Sequence, residues 1–348
     1  MMLTRRMFIG IVASSAIGLG LGGRNGFPKW EKEFSPGRAD NLLPVSVDGR
    51  YGYIDRNGTI VIEPRYESYG EFGEGLAPML AGGKWGFIDT KGATAIEAKF
   101  DDTLWFSNGR APVKISGRWG AIDPNGNMRI PPVFDCPPIF YEGLASVGMA
   151  GMDGFIDTEG RWAIHPRYPR TRPDEKAAYY FRDDLAMIRQ EDRFGFIDKS
   201  GDFVINPSFE QVSCFSEGLA CVGRFGDCHY IDKAGKPVFP GKMYYLCESF
   251  SEGLAPVSDG RLWGYIDKKG RSVIGPRYQW TGGFSEELAF VKTENGGGEY
   301  INRSGELVIR AGKWDIGDAF RGGIAQVTQG DAWGYIDMRG EYIWVPTS

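Results

Sequence analysis

One pattern of hydrophobic and polar positions repeats along this chain: an aromatic residue, Gly, a second aromatic residue, Ile and an acidic residue. It appears as Tyr51-Gly-Tyr-Ile-Asp55 and recurs, for example, as Trp263-Gly-Tyr-Ile-Asp267. The final acidic or amide positions of the nine copies are Asp55, Asp89, Asp123, Asp157, Asp198, Asp232, Asp267, Asn302 and Asp337. Successive copies are 34 or 35 residues apart, except for one interval of 41 residues. Such a period predicts a repeat architecture in which each copy forms one supersecondary unit.

Each copy has the composition of a set of short antiparallel strands. An apolar run such as Gly253-Leu-Ala-Pro-Val257 precedes the aromatic run, and a β-branched run such as Thr59-Ile-Val-Ile62 follows it. Short runs of this kind bounded by Gly and Asp are typical of strands. A Gly stands three residues after the acidic position in all nine copies, which predicts a hairpin turn with Gly at positive φ. We expect a fourth, shorter strand before the next Phe-Ser-Glu-Gly.

The alternation of side chains predicts how the units pack. Ile occupies the same position in all nine copies, and the residue before it is aromatic in eight copies and Ala121 in the ninth. Adjacent strand residues point to opposite faces, so both faces of each small sheet are apolar and need a cover. We expect neighbouring repeats to supply it. The Gly two residues before the Ile is expected to let that neighbour approach closely.

The nine runs resemble the bacterial WG (or KWG) repeat, most clearly in Gly83-Lys-Trp-Gly-Phe-Ile-Asp-Thr-Lys-Gly92 and Phe250-Ser-Glu-Gly-Leu-Ala-Pro-Val257. The resemblance covers about residues 42–345. It implies a repeat protein of a kind often exported by bacteria, and it transfers no catalytic residues. Two copies, with Cys228-His229 and Gly298-Glu299, lack the Trp-Gly pair.

The fold class predicted is all-β, with nine tandem repeats of roughly 34 residues and three to four strands each. A β-propeller-like ring is favoured, because the hairpins and apolar runs are typical of propeller blades. An open β-solenoid of stacked units is the alternative. The first unit starts at Leu42 and the last ends near Val345, so no strand is offered across the chain ends to close a ring.

The N-terminus is typical of an export signal. Thr4-Arg5-Arg6-Met7-Phe8 precedes an apolar, Gly-rich run from Ile9 to about Leu21. A positive segment followed by a short apolar one is typical of secretory signals, and the adjacent arginines resemble a twin-arginine signal. We therefore assign residues 1–23 to a signal or anchor, 24–41 to a linker and 42–348 to the repeat array. The predicted location is periplasmic or extracellular, with membrane attachment only through an uncleaved N-terminus.

Composition excludes some classes of function. The formal net charge of −5 argues against a nucleic-acid partner. The chain contains two His residues, so a His-based metal site or proton relay is not expected. The repeated Asp or Asn is assigned to the turns rather than to calcium. We predict no cofactor, no metal and no catalytic residues, and the Ser, His and Asp residues form no recognisable triad motif.

The five cysteines allow at most two disulfides and leave one thiol over. Cys221 lies in a predicted first strand and Cys228 at the Trp position of the next. Across a hairpin these two residues could face each other, so Cys221–Cys228 is the candidate disulfide. A pair between Cys214 and Cys247 of neighbouring repeats is a further possibility, and buried thiols are the simpler alternative.

The 41-residue interval predicts an insertion near residues 169–180. Insertions in repeat proteins map to surface loops and often to a binding face. Arg170, Arg172, Tyr179 and Tyr180 lie in this segment and are the candidate binding residues for an anionic or carbohydrate ligand. Trp105, Trp162, Trp280 and Trp314 also fall outside the repeat pattern, although packing is the commoner role of such residues.

These features favour an exported, non-enzymatic binding or scaffold protein that contacts a protein or a cell-envelope glycan. The alternative is an enzyme of unknown class with a site on the axial face or on the inserted loop. An enzyme requires clustered titratable residues that break the repeat pattern, and the sequence shows no such cluster.

Overall fold

Short antiparallel strands make up the described part of the chain, which in this computed structural model comprises residues 42–170, 179–294, 296–310, 314–330 and 332–347. Over these residues nine small sheets form a ring, a nine-bladed β-propeller without helices. This confirms the propeller and excludes the open solenoid. The predicted signal (1–23), the linker (24–41) and Arg172 lie outside the described residues. Within them, no helix has the length and hydropathy required to cross a membrane.

The blades follow one another in chain order, and the strands of each sheet are also adjacent in chain order. Blades 1 to 3 contain β1 (Leu43–Val47), β2 (Arg50–Ile54), β3 (Ile60–Tyr66); β4 (Ser68–Tyr69), β5 (Leu76–Ala81), β6 (Lys84–Asp89), β7 (Thr94–Phe100); and β8 (Asp102–Thr103), β9 (Ala111–Ile115), β10 (Arg118–Ile122), β11 (Met128–Phe134). Blades 4 to 6 contain β12 (Phe140–Tyr141), β13 (Leu144–Met149), β14 (Met152–Asp157), β15 (Trp162–Pro169); β16 (Phe181–Arg182), β17 (Leu185–Gln190), β18 (Arg193–Ile197), β19 (Phe203–Phe209); and β20 (Gln211–Val212), β21 (Leu219–Arg224), β22 (Asp227–Asp232). Blades 7 to 9 contain β23 (Leu246–Cys247), β24 (Leu254–Ser258), β25 (Trp263–Asp267), β26 (Ser272–Tyr278); β27 (Trp280–Thr281), β28 (Leu288–Lys292), β29 (Gly298–Asn302), β30 (Leu307–Arg310); and β31 (Ile316–Gly317), β32 (Ile324–Gln329), β33 (Ala332–Asp337), β34 (Tyr342–Thr347).

The expected fourth strand exists as a two-residue strand that opens the sheet of the following blade, as β4 does for β5. Blades 1 and 6 have three strands within the described residues. In blade 6 the last strand is replaced by isolated bridges, including Cys228 with Tyr244. We call the face with the β5–β6 tip and its equivalents the hairpin face. The opposite face, with the Asp-x-x-Gly turns, is the turn face.

The hydrophobic core lies between blades, as the alternation predicts. Tyr53 of blade 1 packs in one cluster with Phe72 and Ile88 of blade 2, and Tyr265 of blade 7 packs in the same way with Phe284 and Ile301 of blade 8. The aromatic before each Ile therefore covers one neighbour while the Ile covers the other. Because each cluster needs two blades, a blade has no separate core.

The ring closes through side chains. Tyr335 of blade 9 shares a cluster with Ile54 of blade 1, and its hydroxyl donates a hydrogen bond of 3.0 Å to the carbonyl of Pro44. Blade 1 in the described chain consists of β1–β3 and blade 9 of β31–β34. The seam between these blades thus repeats the packing of the other junctions without an exchanged strand.

The Asp-x-x-Gly turn has the predicted geometry and a second role in packing. In blade 7, Asp267 Oδ1 accepts hydrogen bonds of 2.9 Å from the backbone N–H groups of Lys269 and Arg271, and Gly270 has φ 71°. The equivalent Gly340 in blade 9 lies against the side chain of Ile309 in blade 8, and a Cβ there would overlap it. In eight of the nine blades the turn is therefore seated on the last strand of the blade before it. In blade 7, which follows the blade without a last strand, Gly270 lies against Phe239 instead.

The Gly of the aromatic-Gly pair has a different partner from the one expected. A Cβ on Gly86 would meet the carbonyl oxygen of Ile96, which lies in the last strand of the same blade, not in a neighbouring repeat. The pairing shifts at this point, since Trp85 faces Phe100 whereas Phe87 faces Ile96. The bulge presses the last strand onto Gly86, so close approach within one sheet explains this Gly.

Carboxylates on the turn face join successive blades. Glu252 of blade 7 accepts hydrogen bonds of 2.6 and 3.0 Å from the backbone N–H groups of Glu286 and Glu287 in blade 8. The same link is made by Glu74 to Gly109, Glu142 to Asp184, Asp183 to Gly218, Glu217 to Gly253 and Glu286 to Gly323. Each link satisfies backbone donors of the next blade with a charged acceptor.

Replacing Ile266 by Ala should destabilise the protein by ~2–5 kcal/mol, because truncating a buried Ile leaves a cavity. Ile266 is 3 % exposed and packs against Tyr230 of blade 6. Denaturant-induced unfolding measures the difference. Val273→Ala in the same blade is the control, since Val273 is 43 % exposed. A loss for Ile266→Ala as small as that of the control would contradict the interblade core.

Lowering the pH should destabilise the fold through the turn carboxylates. The backbone N–H and guanidinium of Arg271 hold the pKa of Asp267 at about 2, below the value of about 3.9 in unfolded chains. Its contribution to stability is therefore present above about pH 4 and lost as the pH falls towards 2. Asp267→Asn should flatten the pH dependence of the unfolding free energy.

Asn302 provides the reciprocal control, because its Oδ1 already accepts the same two backbone hydrogen bonds, from Ser304 and Glu306. Asn302→Asp should steepen the loss of stability in acid. The unfolding free energy would be measured at several pH values. If it depends on pH with the same slope in the wild type and in both variants, the assignment of this dependence to the turn carboxylate is refuted.

Candidate functional site

The 41-residue interval maps to the connection between blades 4 and 5. It begins where β15 ends at Pro169, on the hairpin face, with the backbone N–H of Arg170 bonded to the carbonyl of Gly151 at the tip of β13–β14. It ends where Phe181 pairs with Ala186. Residues 171–178, including Arg172, are outside the described residues, so the site is described from its two anchored ends.

Arg170 is held by a buried acidic group at the base of the insertion. Its Nη2 lies 2.5 Å from Asp153 Oδ1 and 3.6 Å from Cys136 Sγ, and its Nη1 lies 3.8 Å from Asp135 Oδ2. The side chains of Arg170 and Asp153 are 14 % and 2 % exposed. The guanidinium occupies the space over Gly148, where a Cβ would overlap it. Arg170 therefore has a structural role at the base of the insertion.

The electrostatics of this cluster follow from burial. Burial raises the pKa of Asp153, while the Arg170 guanidinium acts in the opposite direction. For Arg170, burial is outweighed by the hydrogen bond and charge of Asp153, and its pKa is raised, so it stays protonated. Burial raises the pKa of the Cys136 thiol to about 11, so this thiol is protonated and unreactive at neutral pH.

The two predicted tyrosines lie at the other end of the insertion. Tyr179 is buried in the cluster between blades 4 and 5, with Phe155 and Phe181. Tyr180 is partly exposed and its ring lies 5.1 Å from that of Tyr141. Of the candidate binding residues, Arg170 and Tyr179 thus anchor the segment, and the structure does not bring them into one exposed site.

Sequence reasoning missed Asp135, Cys136 and Asp153, which form a titratable cluster that breaks the repeat pattern. A signal was present for Asp153. It stands at the first position of the repeated run, which is aromatic in six of the nine copies and otherwise Asp153, Cys228 or Gly298. Asp135 and Cys136 carry no comparable signal, because they lie in a connection whose residues vary from copy to copy.

The predicted disulfide is wrong: Cys221 is bonded to Cys247, not to Cys228. In the β21–β22 hairpin, Cys221 faces Tyr230 and Cys228 faces Gly223, so the two cysteines are diagonal rather than opposite. Cys247 lies in β23 of blade 7 and meets Cys221 across the blade junction. Cys214 and Cys247 therefore do not pair, and Cys228 remains a buried thiol.

The irregular tryptophans are packing residues. Trp105 and Trp314 are buried, and Trp314 donates a hydrogen bond of 2.7 Å to the hydroxyl of Tyr342. Trp162 packs edge-on against Phe134, and Trp280 packs near Phe290.

An exposed apolar patch lies on the hairpin face of blades 6 and 7. Phe225, at the β21–β22 tip, is 63 % exposed and Tyr245 is 38 % exposed. The rings of Phe225 and Tyr245 are 5.0 Å apart in an edge-on arrangement. A small or polar residue stands at the position of Phe225 in other tips, as in Gly82-Gly83, Ala150-Gly151 and Asp259-Gly260. This Phe225 patch was not indicated by the repeat pattern.

Comparison with solved structures gives similarities at low sequence identity, and a TM-score above 0.5 for one of the three described here shows a shared fold. The chain is similar to a eukaryotic initiation factor, with a TM-score of 0.58, 10 % identity and coverage of 88 % of this chain and 94 % of that one. BamB from Moraxella catarrhalis aligns with a TM-score of 0.36, 12 % identity and coverage of 88 % and 85 %. The WD40 propeller domain of Doa1 gives 0.35, 12 %, 69 % and 92 %. No functionally curated protein has a matching sequence.

The family comparison agrees with the repeats found in the sequence. The profile described as "WG containing repeat" matches residues 51–85, 85–119, 119–151, 154–193, 194–223, 230–262, 263–296 and 300–331. These eight matches span most of the chain, and each runs from the aromatic run of one blade into the following blade. The chain therefore belongs to the family of WG-repeat proteins.

Proposed function

We propose that this WG-repeat propeller is an exported, non-enzymatic binding or scaffold protein whose hairpin face holds a protein or a cell-envelope glycan. The proposal rests on one observation: two features that depart from the repeat pattern, the insertion and the Phe225 patch, are found on the same face of the propeller. The insertion begins on the hairpin face at blade 4, and the Phe225 patch lies on the same face at blade 6. Binding residues in repeat proteins concentrate on loops that a rigid scaffold positions.

The anchoring of the insertion supports this role. Arg170 is bonded to Asp153 at one end, and Tyr179 is buried at the other. Fixed ends reduce the number of conformations that a loop must lose on binding, and such preorganisation increases affinity. The two anchors therefore hold both ends of the segment on blades 4 and 5.

The Phe225 patch supports contact with either proposed class of partner. Exposed aromatic residues provide large contact areas at low cost in side-chain entropy and are enriched in interfaces. Arg224 and Asp227, which form an ion pair of 3.1 Å, flank Phe225 with exposed polar groups. An aromatic centre with a polar rim suits a sugar ring or an apolar side chain of a protein.

The alternative function is that of an enzyme. The titratable cluster of Asp135, Cys136 and Asp153 favours it, because titratable groups with shifted pKa values concentrate at active sites. The geometry favours an anchoring role. Asp153 is 1 % exposed and paired with Arg170, and the nearby thiol is protonated. A general acid or base must reach a substrate, and this carboxyl faces the interior of the blade junction.

Export through the twin-arginine route remains part of the proposal, and it rests on Arg5, Arg6 and the apolar run that follows. The net charge of −5 disfavours a nucleic-acid partner. The proposed partners are therefore those of the bacterial envelope, a glycan or a protein, with membrane association only through the N-terminus.

Altering the hairpin face should weaken partner binding without unfolding the propeller. We would replace residues 171–178 by a Gly/Ser stretch of equal length, retaining Arg170 and Tyr179, and separately make Phe225→Ser. Binding to arrayed envelope glycans and to an envelope protein extract would be measured. At least one variant should bind about tenfold more weakly, a loss of about 1.4 kcal/mol.

Val308→Ser is the matched control, since Val308 is 48 % exposed on the last strand of blade 8, away from the hairpin tips. It should bind like the wild type. Equal binding by all four proteins would place the binding surface elsewhere, and no binding by the wild type to either class of partner would contradict the proposal.

Changing both Arg5 and Arg6 to Lys should retain the protein in the cytoplasm, because the adjacent arginines are the recognised element of the signal. Fractionation of cells that express the full chain measures the exported share. Arg24→Lys, outside the motif, should be exported normally. Unchanged export of the double variant would exclude the twin-arginine route.

A further inference from the structure

Three buried sulfur atoms meet at the junction of blades 6 and 7. The Sγ atoms of Cys221, Cys228 and Cys247 all lie within 4.8 Å of one another, and all three residues are buried. Two of them form the disulfide, with Cys228 beside it. The third sulfur is not needed for the cross-link, and it stands at a repeat position that is aromatic in most copies.

The surroundings of the three sulfurs are suited to a single small ion. A cavity of about 10 Å³ is lined by the three cysteines, by the apolar residues Val212, Val222 and Leu246, and by the polar residues Gln211 and Ser213. A volume of this size holds one water-sized occupant. The adjoining cluster, with Tyr230, Phe250 and Val257, is apolar.

We propose that reduction of the Cys221–Cys247 disulfide converts these three cysteines into a binding site for one monovalent copper ion, Cu(I). A thiol or phosphine reductant supplies the two electrons that break the S–S bond, and each sulfur takes up a proton. Cu(I) then bonds to the sulfurs and displaces protons to solvent. The disulfide state lacks the thiolates and does not bind the ion.

The donor set selects the ion. Thiolates are soft ligands that favour Cu(I), Zn²⁺ and iron–sulfur clusters. Structural zinc is almost always bound by four ligands in a tetrahedron, whereas three sulfur donors meet here. His229, the adjacent residue, points to the other face of β22 and packs near Phe209, with ring centres 6.5 Å apart. Three sulfur donors therefore suit Cu(I) better than Zn²⁺.

Burial lowers the reactivity of the Cys228 thiol. It raises the pKa of the Cys228 thiol to about 12, so at neutral pH this thiol is protonated and a weak nucleophile towards the adjacent disulfide.

The test uses the full propeller under anaerobic conditions. A phosphine with water reduces the disulfide, giving two thiols and the phosphine oxide, and does not itself add a thiol ligand. Cu(I) is then titrated in competition with a chromophoric Cu(I) chelator. We expect one tightly bound Cu(I) per reduced chain, a sulfur-to-copper charge-transfer band in the ultraviolet, and no corresponding binding by the oxidised chain.

Cys228→Ser separates this site from general thiol binding, because it leaves the disulfide pair intact. We expect at least tenfold weaker Cu(I) binding, whereas Cys136→Ser and Cys214→Ser, which remove the other two thiols, should bind as the wild type does. X-ray absorption at the copper edge of the wild type should show three sulfur neighbours, a readout independent of whether the variant folds.

Several results would overturn the proposal. These are absence of Cu(I) binding by the reduced wild type, equal affinity in the folded Cys228→Ser variant, equal binding by the oxidised chain, or preferential binding of Zn²⁺. Coordination by fewer than three sulfurs would also overturn it.

Discussion

The propeller depends on one interaction, the packing of an aromatic side chain of one blade against the Ile of the next. A sheet of three or four short strands with two apolar faces cannot bury them alone. Tyr53 with Ile88 and Tyr265 with Ile301 show the same solution at distant junctions. The seating of each Gly turn on the preceding blade and the carboxylate links of the turn face add to this contact. Stability is therefore a property of junctions rather than of blades.

Periodicity and alternation were sufficient to predict the number of units, their strands, the turns and the interblade core, because these features recur in every copy. The partner of the Gly in the aromatic-Gly pair was predicted wrongly. A bulge in the last strand, opposite Gly86, brings the carbonyl of Ile96 onto that Gly, and a bulge depends on strand pairing that spacing does not reveal. The disulfide was missed for a related reason, since Cys221 and Cys247 meet only across a blade junction.

The candidate site was less predictable because it lies where a copy of the repeat lacks its aromatic residue and a residue from elsewhere in the chain fills the space. Where the repeat lacks its aromatic residue, another group fills the volume. Arg170 lies over Gly148 beside Asp153, and the ring of Phe290 occupies the space beside Gly298. The sulfur atoms of Cys221 and Cys247 lie beside that of Cys228. The missing aromatic residues mark these sites in the sequence, but the compensating residues lie 7 to 19 positions away and are recognisable only in the folded ring.

The closure of the ring gives the molecule a seam. Consecutive blades are joined by the chain, but blades 9 and 1 are held in the described residues by side-chain packing, by the seating of the Gly58 turn on the backbone of Ile343 and by the hydrogen bond from Tyr335 to Pro44. Under tension or partial denaturation, this junction can separate without stretching a connecting peptide, so it is the place where the ring would open. Because whole blades meet there, the same ring could begin at another blade boundary if the ends were joined by a linker. Such a circularly permuted chain would move the seam around the ring while preserving the interblade contacts.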